Sequence, residues 1–192
     1  MPNWVDRRTT RRAVWRAKRQ APPPRFANLL IGIILLACLV AVYAYMRWSA
    51  GPQITMAGKA WVIDGDTIEI SGTRIRLEGI DAPELDQTCI DRQGKAWPCG
   101  RAASSELRTH MHGRDLTCNA TGRDKYQRVL AVCLLPDGAE INAWMVRQGW
   151  ALAYGFANKY ASEQADAERA SRGMWSGSFV QPSQWRHDHE KR

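Results

Sequence analysis

The sequence predicts a mainly β domain with supporting helices, preceded by one apolar helix. Two observations carry the first part of that expectation: apolar and polar residues alternate through 57 to 80 and again through 114 to 134, and tight-turn residues such as Asp64-Gly65 and Pro136-Asp137-Gly138 punctuate those stretches. A third carries the helix, because residues 27 to 46 form an uncharged, largely apolar run. At 192 residues the chain is long enough for one domain and a tail, not for two full domains.

Residues 1 to 26 form a basic tail that ends near Pro22-Pro23-Pro24, expected to be mobile or to lie on anionic lipid. The run over 27 to 46 follows; at 1.5 Å per residue it matches a hydrocarbon core of about 30 Å. Tyr43, Tyr45 and Trp48 sit at its far end, where amphipathic rings favour the headgroup layer. Eight basic residues against the single acid Asp6 precede Asn28, which orients the N-terminus toward the cytoplasm and the remainder outward, at a bacterial inner membrane. A cleaved signal peptide is the competing reading, but the run is longer than the usual apolar core and Met46, Arg47 and Trp48 make a poor cleavage site. The paired arginines lie too far from the apolar run for twin-arginine export.

Residues 47 to 56 read as a linker, 57 to 176 as the folded domain and 177 to 192 as a polar tail without apolar periodicity, expected to fray. Within the domain, strands are expected near 57–63, 66–71, 73–80, 114–120 and 127–134, and helices near 100–112, 139–148 and 158–172. In Arg74-Ile75-Arg76-Leu77-Glu78 the apolar pair points inward and the three charged residues share the other face. From Trp48 onward 18 Lys and Arg balance 18 Asp and Glu, so the overall +8 belongs to the N-terminal segment and excludes a broad basic field on the domain.

Cysteine usage suits an oxidising location. Cys38 lies in the apolar run, leaving Cys89, Cys99, Cys118 and Cys133. If Lys125-Tyr126 is a hairpin tip, position 118 mirrors 133, which sets those thiols across from each other and leaves Cys89 and Cys99 to close a loop after Glu84. Four free buried thiols are the alternative; a zinc site lacks its Cys-x-x-Cys spacing.

Asp66, Arg76, Asp81 and Glu84 fall within nineteen positions, and Arg128 follows in Asp124-Lys125-Tyr126-Gln127-Arg128. Three acids and two guanidinium groups are the parts needed to hold a hard cation, orient a water and neutralise a phosphodiester. Each has a plainer reading alone: Asp66 as a turn residue, Asp81 as a strand end, Glu84 as a surface residue after Pro83, Arg76 as the salt-bridge partner of Glu78. His110-Met111-His112 is expected to be exposed near a helix end and His187-Asp188-His189 to lie in the tail, with no His near the acids.

The Asp-Gly-Asp-Thr turn at 64–67, the run Arg76-Leu77 to Ile80-Asp81-Ala82-Pro83-Glu84, and Asp124-Lys125-Tyr126-Gln127-Arg128 stand in an order and spacing that resembles the thermonuclease, or staphylococcal nuclease-like, family over roughly residues 57 to 176. Ile141-Asn142-Ala143, Val146-Arg147-Gln148-Gly149 and Trp175 extend the likeness. The resemblance implies an OB-fold five-stranded barrel with three helices. It implies Ca2+ held by Asp66, Asp81 and the backbone carbonyl of Ala82, with Glu84 as general base and Arg76 and Arg128 on the scissile phosphate. Lys125, Tyr126 and Tyr154 would contact neighbouring phosphates or stack bases, and the substrate would be DNA and RNA; no obligate protein partner is implied. The competing class is a noncatalytic OB module binding nucleic acid, saccharide or protein.

Overall fold

The computed structural model describes residues 25–49, 54–155 and 158–190. The chain divides into two compact units, residues 1–51 and 52–192. The basic segment 1–24 and residues 50–53 of the linker lie outside the described residues.

In the first unit the apolar run forms one helix, α1 (Arg25–Ser49). Its stretch Asn28–Met46 has a mean hydropathy of 2.7 over 19 residues and presents its side chains outward, as a helix long and apolar enough to cross a bilayer would.

The second unit is built on a curled sheet. Its strands are β1 (Thr55–Gly58), β2 (Ala60–Val62), β3 (Thr67–Ile70), β4 (Thr73–Leu77), β8 (Leu116–Arg123) and β9 (Val129–Leu134), in the order β1-β8-β9-β4-β3-β2. The remaining short strands β5 (Ile80–Asp81), β6 (Cys89–Ile90), β7 (Ala96–Trp97) and β10 (Leu152–Ala153) pair as β10-β5 and β6-β7. Helices α2 (Cys99–Met111), α3 (Ile141–Arg147) and α4 (Ala161–Arg169) lie close to the expected positions. A 3-10 turn over Gly173–Ser176 and a further helix, α5 (Pro182–Glu190), follow.

This is an OB-like half-barrel, but the element counts depart from the expected five strands and three helices. The segment read as a single strand over 57–63 breaks at Lys59: β1 pairs with β8 and β2 with β3. Because consecutive strands thus occupy the two edges of one sheet, the sheet must curl, and pattern alone cannot reveal a strand that changes partner while keeping its alternation. Likewise the expected strand 73–80 ends at Leu77, and Ile80–Asp81 pairs instead with Leu152–Ala153. The C-terminal stretch expected to fray is helical over Pro182–Glu190, with proline in the first helical turn, where its missing N–H costs nothing.

Local chemistry explains the site-bearing strands. Ser71 and Gly72, both at positive φ, make the two-residue turn that joins β3 to β4 and sets Thr67 opposite Arg76. Ile75 and Leu77 are buried as their alternation requires, alongside Ile68 and Ile70 of β3. In the β8–β9 hairpin Cys118 faces Cys133 and the two are disulfide-bonded, with Cα atoms 4.0 Å apart. A bulge between Ala120 and Gly122 shifts the register beyond it, so the turn spans 124–128 and centres on Tyr126.

The core is formed by the inner faces of these strands with Leu107 and Met111 of α2 and Met145 and Val146 of α3, and the buried amide of Asn142 lies against it. Asn142 accepts from the Cys133 N–H at 3.1 Å and donates to the carbonyls of Glu78 at 2.9 Å and Ala131 at 3.1 Å, stitching α3 to β9 and to the turn before β5. Replacing Asn142 with Ala would orphan these groups, and we expect unfolding free energy in urea to fall by about 2–4 kcal/mol. A change below about 0.5 kcal/mol would mean that the amide is dispensable.

Candidate active site

Asp66 is placed by a turn that closes on itself. The Asp64 side chain accepts the Asp66 N–H at 3.0 Å, and the N–H groups of Ile63 and Asp64 both donate to the Thr67 carbonyl. The Asp66 carboxylate then points inward, where it accepts from the Thr67 hydroxyl at 3.0 Å, from Arg76 Nη1 at 2.7 Å and from the Ala82 N–H at 3.2 Å. Asp81 is held by the β5–β10 pairing and accepts from Arg76 Nη2 at 3.0 Å. One guanidinium therefore forks between two carboxylates that are 4% and 2% exposed. Arg76 takes these partners rather than the same-face neighbour Glu78 that its strand position suggests, because the buried acids lack water and need its charge more.

Burial dominates the electrostatics of Asp66. Burial pushes the Asp66 carboxyl up to about 7 from its ordinary 3.8, against the pull of Arg76 and the Ala82 N–H and with help from Asp64 and Asp81. Arg76 is held above its usual range, since Asp66 and Asp81 outweigh the burial that would lower it.

Glu84 leaves the site on a braced corner. Pro83 is buried, and the fully buried Gln87 accepts the Glu84 N–H through its side-chain oxygen at 3.2 Å while its own N–H donates to the Glu84 carbonyl at 2.8 Å. Gly100, in the first turn of α2, passes so close that a Cβ there would sit 1.7 Å from the Glu84 carbonyl oxygen, so only glycine permits this contact. The Cys89–Cys99 disulfide closes the intervening loop, with Cα atoms 5.6 Å apart.

Arg128 reaches the same groove from the β8–β9 turn, with its Nη1 3.5 Å from the Thr67 hydroxyl. Its orientation comes from Asp124, which accepts its backbone N–H and its Nε and also the Tyr126 N–H. Burial acts to raise the Asp124 carboxyl, but the hydrogen bonds from Arg128 and Tyr126 prevail and hold it below the usual aspartate range. Tyr126 is exposed beneath Lys125 and Arg128, whose charges lie 4.8 and 5.5 Å from its ring centroid. Tyr154 is also exposed, tied by its N–H to the Gly79 carbonyl.

Asp66, Arg76, Glu84, Arg128 and both tyrosines border a single open groove of about 1140 Å³, and the buried Asp81 is tied to it through Arg76. The geometry also brings in residues that sequence reasoning missed. Thr67 and Asp124 link Asp66 to Arg128, and the Asp-Lys-Tyr-x-Arg spacing held the signal for the latter. Arg186 of α5 contacts both Asp81 and Glu84, and the only advance sign of its helix was Pro182. His110 is not exposed as expected: it stacks on Trp144 at 3.8 Å, with Nε2 buried and unpaired, because α2 packs that side against α3.

Among the described residues no three His, Cys, Asp or Glu side chains form a ready cage for a metal. The donor chemistry nevertheless fits a hard cation completed by water: Asp66 and Asp81 offer buried carboxylate oxygens joined through the Ala82 backbone. The raised Asp66 gives a measurable consequence. Between about pH 4 and 7 the native state keeps a proton that the unfolded chain has released, so Asp66 makes stability decline as pH rises through that window. Without divalent cations, the unfolding free energy of the protein should drop more between pH 5 and 7.5 than that of Asp66→Asn; equal slopes would show that Asp66 titrates normally.

The chain matches the family model described as "Staphylococcal nuclease homologue" over residues 74–177. A protein of Rhizobium meliloti named "Succinoglycan biosynthesis protein ExoI" is 38% identical over 148 residues, covering 76% of this chain and 74% of that protein. An "Uncharacterized endonuclease" of Escherichia coli is 35% identical over 137 residues, covering 66% and 81%. A "Micrococcal nuclease" of Shigella flexneri is 32% identical over 143 residues, covering 65% and 76%.

Proposed function

Because the chain belongs to the staphylococcal nuclease homologue family, we propose that it is a calcium-dependent nuclease that hydrolyses phosphodiesters in both DNA and RNA. The observation that carries this reading is the convergence of Asp66, Arg76, Glu84 and Arg128 on one groove, over Asp81. A binding module would need the guanidinium groups and the exposed rings, but not two buried carboxylates beside a braced glutamate.

In this reading Asp66, Asp81 and the Ala82 carbonyl hold the cation. Calcium, when bound, supplies positive charge for a phosphate oxygen and for the attacking water. Glu84 accepts a proton from that water as its oxygen approaches phosphorus, and its corner is stiff enough to keep the carboxylate aimed. Arg76 and Arg128 donate hydrogen bonds to the phosphate and stabilise the charge that builds in the pentacoordinate state, which collapses by breaking the P–O bond to one sugar as that departing oxygen takes a proton from water. Asp124 preorients Arg128 for this task. Lys125 meets a neighbouring phosphate, while Tyr126 and Tyr154 offer faces for bases, which suits recognition indifferent to the sugar.

The near-neutral domain relies on these few cations rather than on a broad field, so binding should weaken only modestly with salt. The apolar helix, the basic segment before it and the two disulfides support a single-pass anchor in a bacterial inner membrane, N-terminus cytoplasmic and nuclease domain outside. A second reading is a noncatalytic envelope module for saccharide, protein or nucleic acid, and the relative named for succinoglycan biosynthesis supplies a saccharide connection for it.

Degradation of plasmid and RNA by the detergent-solubilised chain separates the two. Activity should require calcium, and should fall about 10²–10⁴-fold in Glu84→Gln and about 10²–10³-fold in Arg76→Ala. Equal, metal-independent inactivity of all three proteins would sink the nuclease reading.

A further inference from the structure

Arg186 stands on α5, beyond the residues 74–177 that match the family model, yet it reaches the centre of the site. Its Nη2 lies 3.0 and 3.1 Å from the two oxygens of Asp81, and its Nη1 lies 2.8 Å from Glu84 Oε1. Asp81 Oδ1 is thereby shared between two guanidinium groups, and Oδ2 is covered by Arg186.

This placement is built, since the chain entering α5 is clamped to the loop that carries Glu84. Ile90 and Ser178 exchange both backbone hydrogen bonds at 2.8 and 2.9 Å, and Arg92 Nε donates to the Ser176 carbonyl at 3.0 Å. Gln87, whose side-chain oxygen accepts the Glu84 N–H, donates its amide to the Val180 carbonyl at 2.7 Å. These contacts hold residues 176–180 in place and deliver Pro182 as the buried start of the helix. From there Arg186 lies one turn along, facing the acids.

Guanidinium groups take both acceptor positions of Asp81 Oδ1 and one on Oδ2, so a cation there competes with them for the carboxylate and repels the guanidinium charge. We propose that Arg186 is a further residue of this site that sets its cation affinity: the guanidinium occupies Asp81 and Glu84 in place of a divalent cation, so cation binding and α5 docking exclude one another. The inference rests on the reading of Asp81 as a cation ligand, but not on catalysis. Cation binding displaces Arg186 from Asp81 and Glu84 into the groove, which Ser183 and His187 of the same helix also line. The clamp over 176–180 stays closed, so the movement is confined to α5 and Arg186.

The full-length chain in a nonionic detergent tests this with calcium alone. Calorimetric titration should give at least about tenfold tighter calcium binding in Arg186→Met, which keeps most of the aliphatic stem, and an intermediate affinity in Arg186→Lys. In the unmodified protein, calcium should speed amide exchange across 182–190 while leaving Ile90 and Ser178 protected. Equal affinities in all three proteins, or calcium binding without faster exchange in α5, would overturn the proposal and leave the nuclease reading intact. No calcium binding by any of the three would overturn the proposal and the calcium-dependent reading together.

Discussion

The fork of Arg76 between Asp66 and Asp81 is the interaction on which the rest of this domain depends. Two carboxylates cannot be buried side by side without a counter-charge, and a guanidinium at 2.7 and 3.0 Å supplies one with the directionality an ammonium would lack. The scaffold serves that requirement. The two-residue turn between β3 and β4 fixes Thr67 opposite Arg76, and the short β5–β10 ladder turns Asp81 into the same space. The Ala82 N–H then closes the cluster on the remaining Asp66 oxygen.

Around this fork the protein spends rigidity selectively. Glu84 is fixed by backbone and disulfide: Gln87 holds it from one side, Gly100 lets α2 press against it, and the Cys89–Cys99 bond closes the loop. Arg128 is aimed by the Asp124 carboxylate within a single turn. Tyr126 and Tyr154, by contrast, stand exposed at the groove, as groups that meet varied surfaces must.

The parts of the site that were legible in the sequence are those encoded by short patterns. Asp64-Gly65-Asp66 announces a turn, Arg74 to Glu78 announces which side chains share a face, and the mirror position of Cys118 and Cys133 follows from a hairpin. The turn centres on Tyr126 rather than between Lys125 and Tyr126, and the extra residue in the bulge between Ala120 and Gly122 offsets that shift, so Cys118 still meets Cys133. Illegible were the residues whose role depends on distant packing. Nothing near His110 indicates Trp144, and nothing in Ile80–Asp81 indicates Leu152–Ala153, because the contacts span tens of residues of chain.

By itself the sequence determined the apolar helix, the alternation of the strands, the cysteine arithmetic and the clustering of the acids with Arg76, since each is a local consequence of period, charge or spacing. Only the tertiary structure decided which charges meet. It split one expected strand at Lys59 to curl the sheet, gave Arg76 the aspartates instead of Glu78, and carried Arg186 across 105 positions to Asp81. The physical reason is common to all three: burial sets the demand for counter-charge and hydrogen bonds, and burial belongs to the assembled fold rather than to any stretch of chain.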